Sequence, residues 1–138
     1  MTHGAMQSAT SVSKPPIPST RQIRNSVCTI SSQKESYASS LIGLERFEEA
    51  RSVLRKTIPV ARRVLGDSDD TTFRIRWNYG RVLLFDAGAT LDDLRAAVTS
   101  LEDTARTARR VLGGSNPLAV DIENDLRDAR AVLRARTE

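Results

Sequence analysis

The hexapeptide Ala-Arg-Arg-Val-Leu-Gly occurs twice in a chain of 138 residues, at 61–66 and again at 108–113. The likeness runs backward from these copies at an offset of 47, which pairs Phe47 with Leu94, Ala50 with Ala97, Leu54 with Leu101 and Ala61 with Ala108. Apolar residues at this three-and-four spacing form one stripe on a helix, so the duplicated element is a helix and not a strand. Tyr37-Ala38 and Tyr79-Gly80 repeat at an offset of 42, which puts five extra residues in the break around Asp86–Thr90. Helix-on-helix repeats need a small side chain at each close crossing, and Ala38, Gly80, Ala50 and Ala97 supply one in each helix of the two units. A short chain that duplicates such a unit is expected to stack it as a solenoid.

Element ends follow from cap chemistry. The period begins near Gln33, and a second stripe runs Phe47, Ala50, Leu54, Ile58, Ala61 and Leu65, with Pro59 inside it as an expected kink. Gly66 ends this helix, and Ser68, Asp69 and Asp70 supply the cap and first-turn acids of a helix over 70–85. Thr90 is the natural N-cap of a long helix that ends at Gly113-Gly114, and Asn116-Pro117 opens a last helix carrying Leu118, Ile122, Leu126, Ala129 and Leu133. The hexapeptide thus reads as the end of an outer helix: Val and Leu pack on the neighbouring unit, the arginines suit the negative helix terminus, and Gly turns the chain.

Tyr37-Ala38-x-x-Leu41, followed by Arg46-Phe47-Glu48-Glu49-Ala50 and Leu54, resembles the tetratricopeptide repeat, and the 42-residue unit with a long second helix ending in Val-Leu-Gly resembles its kinesin-light-chain subtype. The resemblance covers about residues 33–138. It implies an all-α, right-handed solenoid of helical hairpins with about five helices, in which the first helix of each unit lines a concave groove. The final unit stops after its first helix, which serves either as a cap or as the edge of a longer array. The heptad coiled coil that would join a kinesin heavy chain is not found in these residues.

Charge divides the chain unevenly. Residues 1–34 hold Lys14, Arg21, Arg24 and Lys34 and no acid, whereas residues 35–138 hold 17 basic and 17 acidic side chains, so the net charge of +4 belongs to the N-terminal segment. A neutral body argues against nucleic acid as a partner, because phosphate binders concentrate cations on one face of the fold. Residues 1–32 are rich in Ser and Thr, contain Pro15, Pro16 and Pro18, and show no apolar period; they are expected to be a disordered basic tail ahead of a repeat domain over 33–138. An organelle-targeting role for that tail is the less favoured alternative. One cysteine, Cys28, and one histidine, His3, exclude an internal disulfide and leave too few thiol and imidazole ligands for a metal site. With no run of about 18 apolar residues to span a membrane, a cytoplasmic protein without cofactor or metal is expected.

Catalytic chemistry finds few supports. The acid pairs Glu48/Glu49, Asp69/Asp70 and Asp92/Asp93 fall in or near first turns, where acids stabilise the helix dipole by about 0.3–1 kcal/mol. The body has no histidine, and Lys56 has no evident partner for base or Schiff-base work. Gly113–Pro117 lacks the Lys-Ser/Thr of a phosphate loop and reads as a turn. The chain is therefore not expected to be an enzyme. The resemblance points instead to a protein-interaction module binding a peptide or partner protein, with Arg74, Trp77, Asn78 and Arg81 facing the concave groove and Asp121, Asn124 and Asp128 across it. Trp77 is equally well read as packed against a neighbouring helix. The rival class is a structural or self-associating helical bundle, or part of a longer array.

Overall fold

The computed structural model describes residues 16–138, which form five α-helices in chain order and no strand among the described residues: α1 (Thr20–Gly43), α2 (Phe47–Val64), α3 (Asp70–Phe85), α4 (Leu91–Leu112) and α5 (Pro117–Thr137). Each helix packs on the next, and α3 also packs on α1 and α5. This is the expected stack of hairpins, with α1, α3 and α5 as one layer and α2 and α4 as the other.

Two apolar clusters hold the stack together. Ala38, Leu41, Leu54, Ala61 and Leu65 join Ile75 and Val82 on one side of α3. On its other side Phe73 joins Leu101, Ala108, Ile122 and Ala129. A helix buried on both flanks cannot show a one-sided apolar stripe, and α3 accordingly buries Thr72, Arg76 and Asn78 beside its apolar residues.

The two copies of the hexapeptide end alike. Gly66 and Gly113 both adopt φ of 91°, a left-handed conformation open to glycine at little cost, and each donates its N–H back to the preceding helical turn. The repeat extends to a feature hidden from the apolar pattern: Thr57 donates its hydroxyl to the Val53 carbonyl at 2.7 Å, and Thr104, 47 residues on, donates to Ser100 at 2.7 Å. The copies differ in cover. Leu65 is buried and Val64 half-buried, whereas their counterparts Leu112 and Val111 are half-buried and 44% exposed. Pro59 lies within an unbroken α2.

Cap expectations hold at three sites, and at two of them an aspartate or asparagine side chain accepts the N–H two residues on. Asp69 accepts from Thr71 N–H at 2.9 Å, and Asn116 accepts from Leu118 N–H at 2.9 Å. Thr90 and Asp93 form a reciprocal capping box. The inserted break is itself ordered: Asp86 accepts from Gly88 N–H at 2.9 Å, Ala89 is buried, and Arg51 of α2 reaches Asp86 and Asp93 at 3.8 and 3.5 Å. The acid pairs therefore serve helix starts.

One boundary differs from expectation. The first helix opens at Thr20, so residues 20–32, expected within the disordered tail, form the first half of α1. Residues 1–15 of that expected tail lie outside the described residues. The helix starts where it does because Ser19 and Gln22 form a capping box, at 3.1 and 2.7 Å, just past the last proline of the cluster. It stays docked because Val27 and Cys28 pack on the first cluster, Ser31 is buried, and Arg24 donates to the Val64 carbonyl at 3.1 Å. These are small or polar contacts, which is why no apolar period marks them.

Candidate functional site

The expected site residues Arg74, Trp77, Asn78 and Arg81 all lie on α3, the middle helix of its layer, and the structure gives them different surroundings. Arg74 is exposed. Asn78 is buried: its amide donates to Glu35 of α1 at 2.8 Å, and its carbonyl oxygen accepts from Arg81 at 3.1 Å. Arg81 is half-buried, with its guanidinium 5.2 Å from the centre of the Trp77 ring and 5.4 Å from that of Phe85, and 3.8 Å from the Asp125 carboxylate of α5. Trp77 donates its indole N–H to the same carboxylate at 2.6 Å.

The result is a polar chain across the layer, running from Glu35 through Asn78 and Arg81 to Asp125, with Trp77 closing it. Every member has a partner, so the buried amide is not left at the cost of an unmade hydrogen bond, about 1–3 kcal/mol. Cation–π contact over two rings adds to the hold on Arg81. Asn78 therefore positions Arg81 and is not itself a contact surface. Trp77 is packed against its neighbours: its ring lies beside the second core cluster, and its indole N–H is committed to Asp125 of α5.

Across from α3, the residue that meets the site is Asp125, not the expected Asp121, Asn124 and Asp128. Asp121 and Asp128 are exposed, and Asn124 accepts from Arg127 of its own helix at 3.3 Å. Asp121 and Asp128 lie one turn to either side of Asp125 on α5, but it is Asp125 that meets Trp77 and Arg81 of α3. Phe85, half exposed beside Arg81, was not among the expected residues either; its position one turn beyond Arg81 on α3 was the available signal.

A second polar cluster ties the outer helices. Arg76, 5% exposed, leaves α3 toward α4, where it donates to Asp103 at 2.7 Å; Asp67, at the end of the first unit, stands 3.9 Å from its other terminal nitrogen. Arg106 is 3.6 Å from Asp103, and Arg62 donates to Asp67 at 2.7 Å. The hydrogen bond from Arg76, reinforced by the charges of Arg106 and Arg62, holds the Asp103 carboxyl below its ordinary range against the opposing effect of burial. Asp93 is held low chiefly by the Thr90 backbone N–H.

Among the described residues no group of three or more His, Cys, Asp or Glu side chains is placed to hold a metal ion, and no helix is long and apolar enough to cross a membrane. Compared with known families, residues 38–70 match the tetratricopeptide repeat. That match spans the last six residues of α1, all of α2 and the turn into α3, within the first unit of the duplication. No curated protein and no solved structure matches the chain.

Proposed function

We propose that this chain is a protein-interaction module of the tetratricopeptide type, related to the kinesin-light-chain subtype, which takes a peptide or a segment of a partner protein along the layer of α1, α3 and α5 in the cytoplasm. The observation that carries the reading is the surface around Arg81, where a cation held over Trp77 and Phe85 stands about two turns from the exposed Arg74. An aromatic face and two guanidinium groups suit a peptide that brings a carboxylate and an apolar or aromatic side chain. Asn78 and Glu35 act behind them, fixing Arg81 in place. The subtype is supported by the 42-residue spacing of the inner helices and the 22-residue α4 that ends in Val-Leu-Gly.

Enrichment of a random peptide library on the full chain tests the proposal. A single motif is expected to emerge, and Arg74→Glu together with Arg81→Ala should weaken it by about thirtyfold, the equivalent of roughly 2 kcal/mol at a central anchor, while helicity is kept. A library that yields no motif, or a motif bound equally by the variant, would overturn the groove reading and favour a structural bundle.

A further inference from the structure

The first unit carries an open apolar groove where the second unit has a polar, ion-paired one. The offsets of 42 and 47 that define the repeat align Ile30 with Thr72, Lys34 with Arg76, Lys56 with Asp103 and Val60 with Thr107. In the second unit the preceding one covers the α3 edge of this face, so that Thr72 and Arg76 are buried, and Arg76 is paired with Asp103 and approached by Asp67; the rest of the cleft stays open as a polar groove lined by Arg76, Thr99, Ser100 and Asp103. In the first unit the corresponding cleft is a groove of about 350 Å³ between α1 and α2, floored by Val27 and Val53 and edged by Ile30, Lys34, Lys56 and Val60. Ile30 is 53% and Val60 37% exposed. The apolar edge continues along α1 at seven-residue steps, with Ile23 before Ile30, Tyr37 after it at 51% exposure, and Leu44 just past the helix end.

We infer that this face docks an amphipathic helix of a partner protein whose apolar stripe is flanked by acidic residues. The helical form follows from the seven-residue spacing, which a second helix laid alongside α1 can match over several turns. The acidic flank follows from charge. Where the cleft of the second unit sets Arg76 against Asp103 and Asp67, that of the first has only Lys34 and Lys56, and neither forms an ion pair among the described residues. A second copy placed face to face would set lysines against lysines, so the complementary surface belongs to another chain. This face is separate from the surface around Arg81 and does not depend on the reading given for it.

Two synthetic helical peptides of about 18 residues, long enough to span the stripe from Ile23 to Tyr37, share one leucine stripe and differ only in having Glu or Lys on its flanks. Titrated against the full chain, the Glu peptide should bind at least tenfold more tightly than the Lys peptide. Ile30→Glu and Val60→Glu, both at exposed positions, should weaken it about tenfold or more with the circular dichroism unchanged. Lys34→Glu combined with Lys56→Glu should reverse the preference between the two peptides. Equal binding of both peptides, or a preference that survives the charge reversal, would overturn the inference. So would binding that ignores Ile30→Glu but is lost in Arg81→Ala, which moves the contact to the inner layer. Concentration-dependent sedimentation of the chain alone that Ile30→Glu abolishes, or cosedimentation with phosphatidylserine vesicles, would assign the face to self-association or to a lipid surface instead.

Discussion

Gly80 tests the closeness of the helix crossing on which the repeat depends. A Cβ placed on Gly80 would lie 2.7 Å from both Cγ and Cδ2 of Leu101 and 3.1 Å from Cδ1. Ordinary carbon contacts sit near 3.5–4.0 Å, so the leucine would have to retreat by about 1 Å. It cannot do so freely, because Leu101 is fully buried in the second cluster. Gly80→Ala therefore sets two effects against each other: a gain of about 0.5–1 kcal/mol from helix propensity in the middle of α3, and an overpacking cost of about 1–3 kcal/mol. The cost wins, leaving a net loss of roughly 0.5–2 kcal/mol and a fall of several degrees in Tm. Leu101→Ala alone should cost about 2–5 kcal/mol through the cavity it leaves. In the double variant the added methyl no longer clashes and fills part of that cavity, so the combined loss should fall short of the sum by about 1–2 kcal/mol. Urea or thermal unfolding of the four proteins, with m-values compared, gives the cycle. A rise in Tm for Gly80→Ala with no coupling to Leu101 would refute the close crossing and with it the role given to small residues in the repeat.

Three further outcomes are expected. A chain that starts at Gln33 should be less stable by roughly 2–4 kcal/mol than one that starts at Pro16, because Val27, Cys28 and Ser31 leave the core with the first half of α1; equal denaturation midpoints would show that half-helix to be undocked. Ala97→Leu should destabilise by about 1–3 kcal/mol, since Ala97 is fully buried at the position equivalent to Ala50, whereas Arg95→Ala, at an exposed site, should change the midpoint little. Asp103 has a folded pKa below its unfolded value of about 3.9, so its stabilising share is fully present above that value and is lost as the pH falls through the folded one. Asp103→Asn should therefore lower stability at neutral pH and flatten the loss on acidification below about pH 4; parallel acid-unfolding curves for the two proteins would contradict the pairing with Arg76.

What the sequence revealed and what it hid divide along physical lines. Helices α2 and α4 each bury one face, so Leu54 and Leu101 fell on clear stripes and their caps at Thr90, Gly66 and Gly113 could be read residue by residue. Helix α3 buries both flanks, and its pattern said little about which way Arg76 or Trp77 turned. The first half of α1 is docked through a seam of Val27, Cys28 and Ser31, too small and polar to register as periodic. Asp125 was missed for a different reason: which of several residues a turn apart on α5 meets α3 depends on how the two helices pack, which no local stretch of sequence contains.

The polar chain from Glu35 to Asp125 also bears on the order in which units stack. Duplicated hairpins with matching apolar faces face an ambiguity, since any copy can in principle sit beside any other. Carried through the repeat offsets, Asn78 corresponds to Ser36 in the first unit and to Asp125 in the third, and Arg81 corresponds to Ser39 and Asp128. Equivalent places thus hold a hydroxyl, an amide or cation, and a carboxylate in turn. Only one sequence of neighbours lets the amide meet Glu35 and the guanidinium meet Asp125. A hairpin inserted out of turn would leave Asn78 buried without its partner. The inner layer in effect numbers its helices, and a chain built by copying keeps its parts from being interchangeable.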